Sequence, residues 1–162
     1  MAFILDAQRQ KDVVAAFKRY NDYIEGLRGK MPASAFALAS SEWYFNFNDH
    51  HCPHDAWLER MCIEEPSSGE RSEERYNSMR ILLLAGYHDG FIEFYYPKVF
   101  RYRLDAFDSS QGHGDWRYDE FRLSEDGHVI HEIEWCGMDD TVRWVIEASD
   151  VEYRWIPIAE GS

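Results

Sequence analysis

The sequence predicts an α+β fold, with an N-terminal amphipathic helix packed on a strongly bent, mostly antiparallel meander sheet of about seven to nine strands. Three observations predict it. Residues 7–28 repeat apolar side chains at steps of three and four, the period of a helix with one buried stripe. Across residues 91–155, short segments carry a large apolar side chain at every second position, the period of a strand with one buried face. Turn signals such as Asp89-Gly90, Glu125-Asp126-Gly127 and Ser149-Asp150 join those segments too tightly for helices to intervene, which excludes a parallel doubly wound fold.

Taken in order, the helix stripe is Val13, Phe17, Tyr20, Ile24 and Leu27, with Arg9, Asp12, Arg19, Asp22 and Glu25 opposite. Asp6 is the expected cap, Gly26, Gly29 and Pro32 the stop, and the sheet's dry face the surface the stripe covers. Residues 33–39 fit a short strand or a helical turn. Residues 43–48 alternate, with Trp43, Phe45 and Phe47 on one face, and are expected to form a hairpin with residues 57–64 around the polar turn 49–55. Residues 65–74 read as a charged loop, and 79–87 as a strand covered on both faces by the run Ile81-Leu82-Leu83-Leu84-Ala85. Ile92, Phe94 and Tyr96 share a face that Phe100, Tyr102 and Leu104 continue, so Pro97 marks a bulge, a bend or a sheet edge. A loop is expected over 105–114, then strands at 121–123, 129–135, 142–146 and 151–155, and a frayed tail after Pro157.

The chain has 162 residues, 45% apolar and 16% aromatic, which suits one domain spanning 1–162 with a sizeable core. No apolar window is long enough to span a membrane, and the start lacks a basic region followed by an apolar run, so a cytoplasmic protein is expected. Cys52, Cys62 and Cys136 lack CxxC spacing and read as reduced, buried thiols. Thirty acidic residues against 17 basic ones give a net charge of −13, which disfavours nucleic acid and anionic membranes as partners. The acid is concentrated: residues 105–140 hold 11 acidic side chains and only Arg117 and Arg122 as bases.

Few patterns carry chemistry. His50-His51-Cys52-Pro53-His54-Asp55 offers zinc-ligand types, but structural zinc draws on two separated ligand pairs and no second cluster exists. No metal and no cofactor is therefore expected. A GxSxG elbow, a GxGxxG loop and a Walker lysine are all missing, which leaves no catalytic residue to name. His131 shares parity with Val129, Ile133 and Trp135, and Asp119 with Phe121 and Leu123, so the two are expected to meet as a buried polar pair. Asp115, Glu120, Glu125, Asp126, Glu132 and Glu134 fall in loops or at the opposite, outward parity, a candidate acidic face for a basic protein partner.

The segments Tyr87-His88-Asp89-Gly90, Phe94-Tyr95 with Val99, Gly114-Asp115, Asp119-Glu120 and His131-Glu132-Ile133 resemble a group of small β-rich bacterial proteins, some of them thought to be immunity proteins of polymorphic toxin systems. The resemblance covers residues 80–155 and implies a non-enzymatic protein that neutralises a basic partner, such as a toxin, by binding it. A small-molecule binding domain with aromatics lining the sheet's concave side is the alternative, and a small hydrolase the third reading.

Overall fold

The computed structural model describes residues 1–108, 110 and 112–159, apart from the side chains of residues 7 and 8. Parts of the expected loop 105–114 and of the frayed tail lie outside the described residues. The architecture is α+β with a seven-stranded antiparallel sheet. The strands are β1 (Trp57–Glu64), β2 (Asn77–Leu84), β3 (Gly90–Leu104), β4 (Asp115–Leu123), β5 (Val129–Cys136), β6 (Thr141–Ala148) and β7 (Glu152–Pro157). Neighbours in sequence pair from β1 to β3 and from β4 to β6, which makes two meanders.

The long strand β3 joins them. Its first half, Gly90 to Tyr95, pairs with β7, and its second half, Val99 to Leu104, pairs with β6. Pro97 falls between the two partners, and a register shift follows between Val99 and Arg101, early in the pairing with β6. A proline cannot donate a ladder hydrogen bond, so the point where the strand changes partner is where it is tolerated. Residues Ile92, Phe94 and Tyr96, together with Trp116, Phe121, His131, Ile133, Trp135 and Ile146, are fully buried between the two halves.

On the remaining side the sheet nearly closes. β1 meets β4 at one pair, Trp57 with Asp115, supported by Asp55 N–H to Trp116 O at 2.7 Å and Trp116 N–H to Ala56 O at 2.9 Å. Beyond that point β4 has a free edge, and helix α1 (Val13–Glu25) lies along it. Tyr20 Oη accepts from Phe121 N–H at 2.8 Å and Tyr23 Oη accepts from Leu123 N–H at 2.9 Å. Two tyrosine hydroxyls thus replace a missing strand at this edge, while Tyr20 and Ile24 pack into one core with the sheet's buried side chains.

The helix also starts later than its apolar period suggests. Residues Ala7–Gln10 form a 3-10 turn, and Asp12, in extended conformation, caps α1 by accepting from Ala15 N–H at 3.0 Å. Asp6 is not the cap, and Val13 is exposed; Ala16, Tyr20 and Ile24 are the buried stripe. Residues 33–39 are helix α2 (Ala33–Ala39), whose first turn is capped from a distance by Asp150: Ser34 N–H and Ala35 N–H donate to its carboxylate at 3.2 and 2.9 Å. Residues 43–48 do not form a strand. Trp43–Phe45 is a 3-10 turn that sends Tyr44 inward, and β1 finds its hairpin partner in β2. No helix among the described residues is long and apolar enough to cross a membrane.

Candidate functional site

A chain of polar groups crosses the apolar interior. Tyr96 Oη lies 2.7 Å from His131 Nδ1, and His131 Nε2 lies 2.7 Å from Asp119 Oδ2. Tyr44 Oη donates to the same Asp119 oxygen at 2.5 Å, and Trp116 Nε1 donates to the other at 3.1 Å. A bulge between Trp116 and Tyr118 turns both Trp116 and Asp119 inward although they are three residues apart. The imidazole is stacked on Phe121 with centroids 4.3 Å apart, and Phe94 and Trp116 close around it. Asp119 and His131 therefore sit together, joined by Tyr44 and Tyr96, which the sequence did not flag. Tyr96 shares the inward parity of Phe94; Tyr44 carries no such signal.

This network has the parts of a proton relay, but not the access. Tyr44, Tyr96, Asp119 and His131 are all buried, none more than 4% exposed. Burial, reinforced by the charge of Asp119, holds the Tyr44 and Tyr96 hydroxyls well above the usual phenol range. A fully satisfied polar chain in a dry core fixes one packing arrangement, and that is the work this geometry can do.

The histidine turn spreads its rings outward. His50 stacks on Tyr87 at 3.9 Å, His51 on Trp155 at 4.1 Å and His54 on Phe47 at 3.9 Å. Each imidazole faces a different aromatic, so the three do not converge on one point. His50 Nδ1 lies 2.6 Å from Asp89 Oδ2, and that hydrogen bond holds the Asp89 carboxyl below its usual range. Burial pushes the Cys52 thiol up to about 12, which removes it as a nucleophile at neutral pH. Among the described residues, one other group gathers three ligand types: Asp126, His128 and Glu147, with ligand atoms within 4.8 Å of one another.

The six acidic residues assigned to one partner face are divided into three places. Glu120, Glu132 and Glu134 do point outward from β4 and β5, but the chain's own N-terminal segment covers Glu120 and Glu134, and cross-sheet arginines pair with Glu132. Phe3, Ile4 and Leu5 donate their N–H groups to the Glu120 carboxylate, the closest at 2.7 Å, and Arg122 pairs with it as well. Arg9 and Arg143 hold Glu134 at 3.1 and 3.0 Å, and Arg122 reaches Glu132 at 3.0 Å. Glu120 is fully buried and Glu134 is 3% exposed. The expectation of an open face there is corrected: outward parity placed these carboxylates on the outside of the sheet, and a strap of chain with two cross-sheet arginines then covered them.

The other three are exposed but separated, with Asp115 at the start of β4 and Glu125 and Asp126 in the turn after its end. Asp115 belongs to a groove of about 510 Å³, lined also by Phe107, Asp108, Met138, Asp139 and Asp140. Among the described residues, no Lys or Arg lines it. Gly114, at φ 83°, lets the backbone pass so close to Cys136 that a Cβ there would lie 2.6 Å from its carbonyl oxygen. The sequence reading missed Asp108, Asp139 and Asp140 because loop residues have no parity to place them.

Comparison with protein-family models, with curated proteins and with solved structures finds no match. The functional reading therefore rests on this geometry.

Proposed function

We propose that the protein works by binding a basic partner protein, without catalysis, through the acidic groove at the loop end of the sheet. The observation that carries this reading is the charge of that groove: Asp108, Asp115, Asp139 and Asp140 line it and, among the described residues, no Lys or Arg does. Elsewhere, Glu93, Glu120, Glu132, Glu134 and Glu147 each have an arginine partner. Four neighbouring carboxylates repel one another, and a cationic partner relieves that repulsion while being steered in by the field. Met138, 82% exposed, and Phe107 add the apolar contact that protein interfaces favour at their centre. An immunity-like role in the cytoplasm, where three free thiols stay reduced, agrees with this reading.

The test is affinity capture from the source cells at low salt, followed by binding measurements on the purified partner. The expected partner is a basic protein whose Kd weakens steeply with salt. The combined variant Asp108→Asn, Asp115→Asn, Asp139→Asn, Asp140→Asn should lose about tenfold or more in affinity. An acidic partner, or one that binds the variant as tightly as the native chain, overturns the reading.

A further inference from the structure

At the far end of β4 from the groove, the turn into β5 brings together a second set of groups. Gly127, at φ 82°, tightens the turn, and Ser124 N–H donates to His128 O at 2.8 Å while His128 N–H donates to Ser124 Oγ at 3.0 Å. Asp126 and His128 thereby project from a fixed hairpin. Cross-strand pairing of Ile130 with Glu147 brings the Glu147 carboxylate beside them. His128 Nδ1 lies 3.1 Å from Glu147 Oε1, and Phe100 stacks flat on the imidazole with centroids 3.7 Å apart. Glu147 is 6% exposed, although carboxylates are rarely buried without strong partners.

The two oxygens of Glu147 have different duties. Oε2 accepts from Arg101 Nε at 3.0 Å and from Arg101 Nη2 at 2.8 Å. Oε1 faces the imidazole nitrogen. A nitrogen lone pair and a carboxylate oxygen at that separation need an electrophile between them, either a proton or a metal ion. We propose that Asp126, His128 and Glu147 form a site for one divalent transition-metal cation, bound through His128 Nδ1, Glu147 Oε1 and one Asp126 oxygen.

Geometry and ligand type support this choice. Two ligand atoms about 2.1 Å from one ion lie at most about 4.2 Å apart, so a set already within 4.8 Å needs only a small closure. Asp126, the exposed ligand on the turn, makes that movement, while Phe100 and Arg101 hold His128 and Glu147 in place. One imidazole with two carboxylates suits zinc or manganese better than magnesium, which prefers oxygen ligands alone. Three protein ligands leave a coordination position open to solvent. Arg101 opposes the cation by its charge, but it is itself 79% exposed in its side chain, where water screens it.

The experiment titrates the full chain, stripped of metal by chelator, with Zn²⁺ at pH 7.5 by calorimetry, and repeats the titration with Mg²⁺. One Zn²⁺ per chain is expected, with no binding of Mg²⁺ under the same conditions. His128→Asn should weaken Zn²⁺ binding about 100-fold and Asp126→Asn about tenfold, by loss of a ligand. His51→Asn, on the separate histidine turn, should leave it unaltered. Both test positions are partly or fully exposed, and circular dichroism checks that the variants fold. Zn²⁺ binding that survives His128→Asn, or its absence at 1 mM metal, about the weakest affinity of interest, overturns the proposal.

Discussion

Two acidic regions of this molecule contrast. On the outer face of β4 and β5, Glu120, Glu132 and Glu134 are paired with arginines, and Glu120 and Glu134 are buried. In the groove of about 510 Å³ at the loop end, Asp108, Asp115, Asp139 and Asp140 share a lining that holds no Lys or Arg among the described residues. Both regions are acidic in the sequence, and both face away from the core. The difference lies in what the rest of the chain brings to them. The N-terminal segment reaches the first with three backbone amides and Arg9, and reaches nothing at the second. An acidic cluster is thus a place for a partner only where the chain has not supplied its own.

The largest effect should come from breaking the covered region. Glu120→Ala leaves the N–H groups of Phe3, Ile4 and Leu5 and the Arg122 guanidinium without their acceptor. A buried partner removed in this way costs about 3–5 kcal/mol, measured as the shift of a urea unfolding curve. Hydrogen exchange should show the N-terminal segment released. An unfolding midpoint unaltered by this change would mean that the segment does not hold the face. His131→Ala in the core should come next, at about 2–4 kcal/mol, since it leaves Tyr96 Oη without its partner, takes one hydrogen-bond partner from Asp119 and opens a void.

Acidity should affect the groove end before the covered face. Burial lowers His113, beside Gly114 and Asp115, and also His54, where Asp55 offsets part of the effect. A histidine whose native pKa lies below its unfolded one stabilises the fold fully above about pH 6.5, and that contribution is lost as pH falls through and below this value. Between pH 7 and pH 5, amide exchange in the described loops around His113 and His54 should quicken while that of Phe3 to Leu5 stays slow. Gln at both positions should flatten the dependence of the unfolding midpoint on pH. Equal quickening in both regions would erase this distinction.

The sequence revealed which side of a strand each residue takes, since alternation is a local property. From it come the sheet, the inward parity of His131 and the outward parity of Glu132 and Glu134. Whether an outward side chain meets water depends on contacts across more than a hundred residues, as with Ile4 on Glu120, and no local pattern encodes them. The same limit explains Tyr20, which looked like one more stripe residue and is the hydrogen-bond partner of a strand edge. Residues 43–48 alternate like a strand but have no neighbour to pair with, and the short turn that buries Tyr44 against Asp119 wins instead.

The smallest effect on stability belongs to the groove, and its direction is informative. Asp139 and Asp140 are exposed and line the groove beside Asp108 and Asp115. Replacing Asp139 and Asp140 with Asn removes two like charges from a set that repels itself and breaks no ion pair found among the described residues. The unfolding midpoint should stay where it is or rise slightly, and any rise should shrink as salt is added, because screening already removes the repulsion. Glu120→Ala should show no such salt-dependent gain, since its carboxylate is fully buried and compensated. A clear loss of stability in the Asp139, Asp140 double variant would show that these aspartates hold the loops together. Their charge would then be structural, and the contrast between the two acidic regions would disappear.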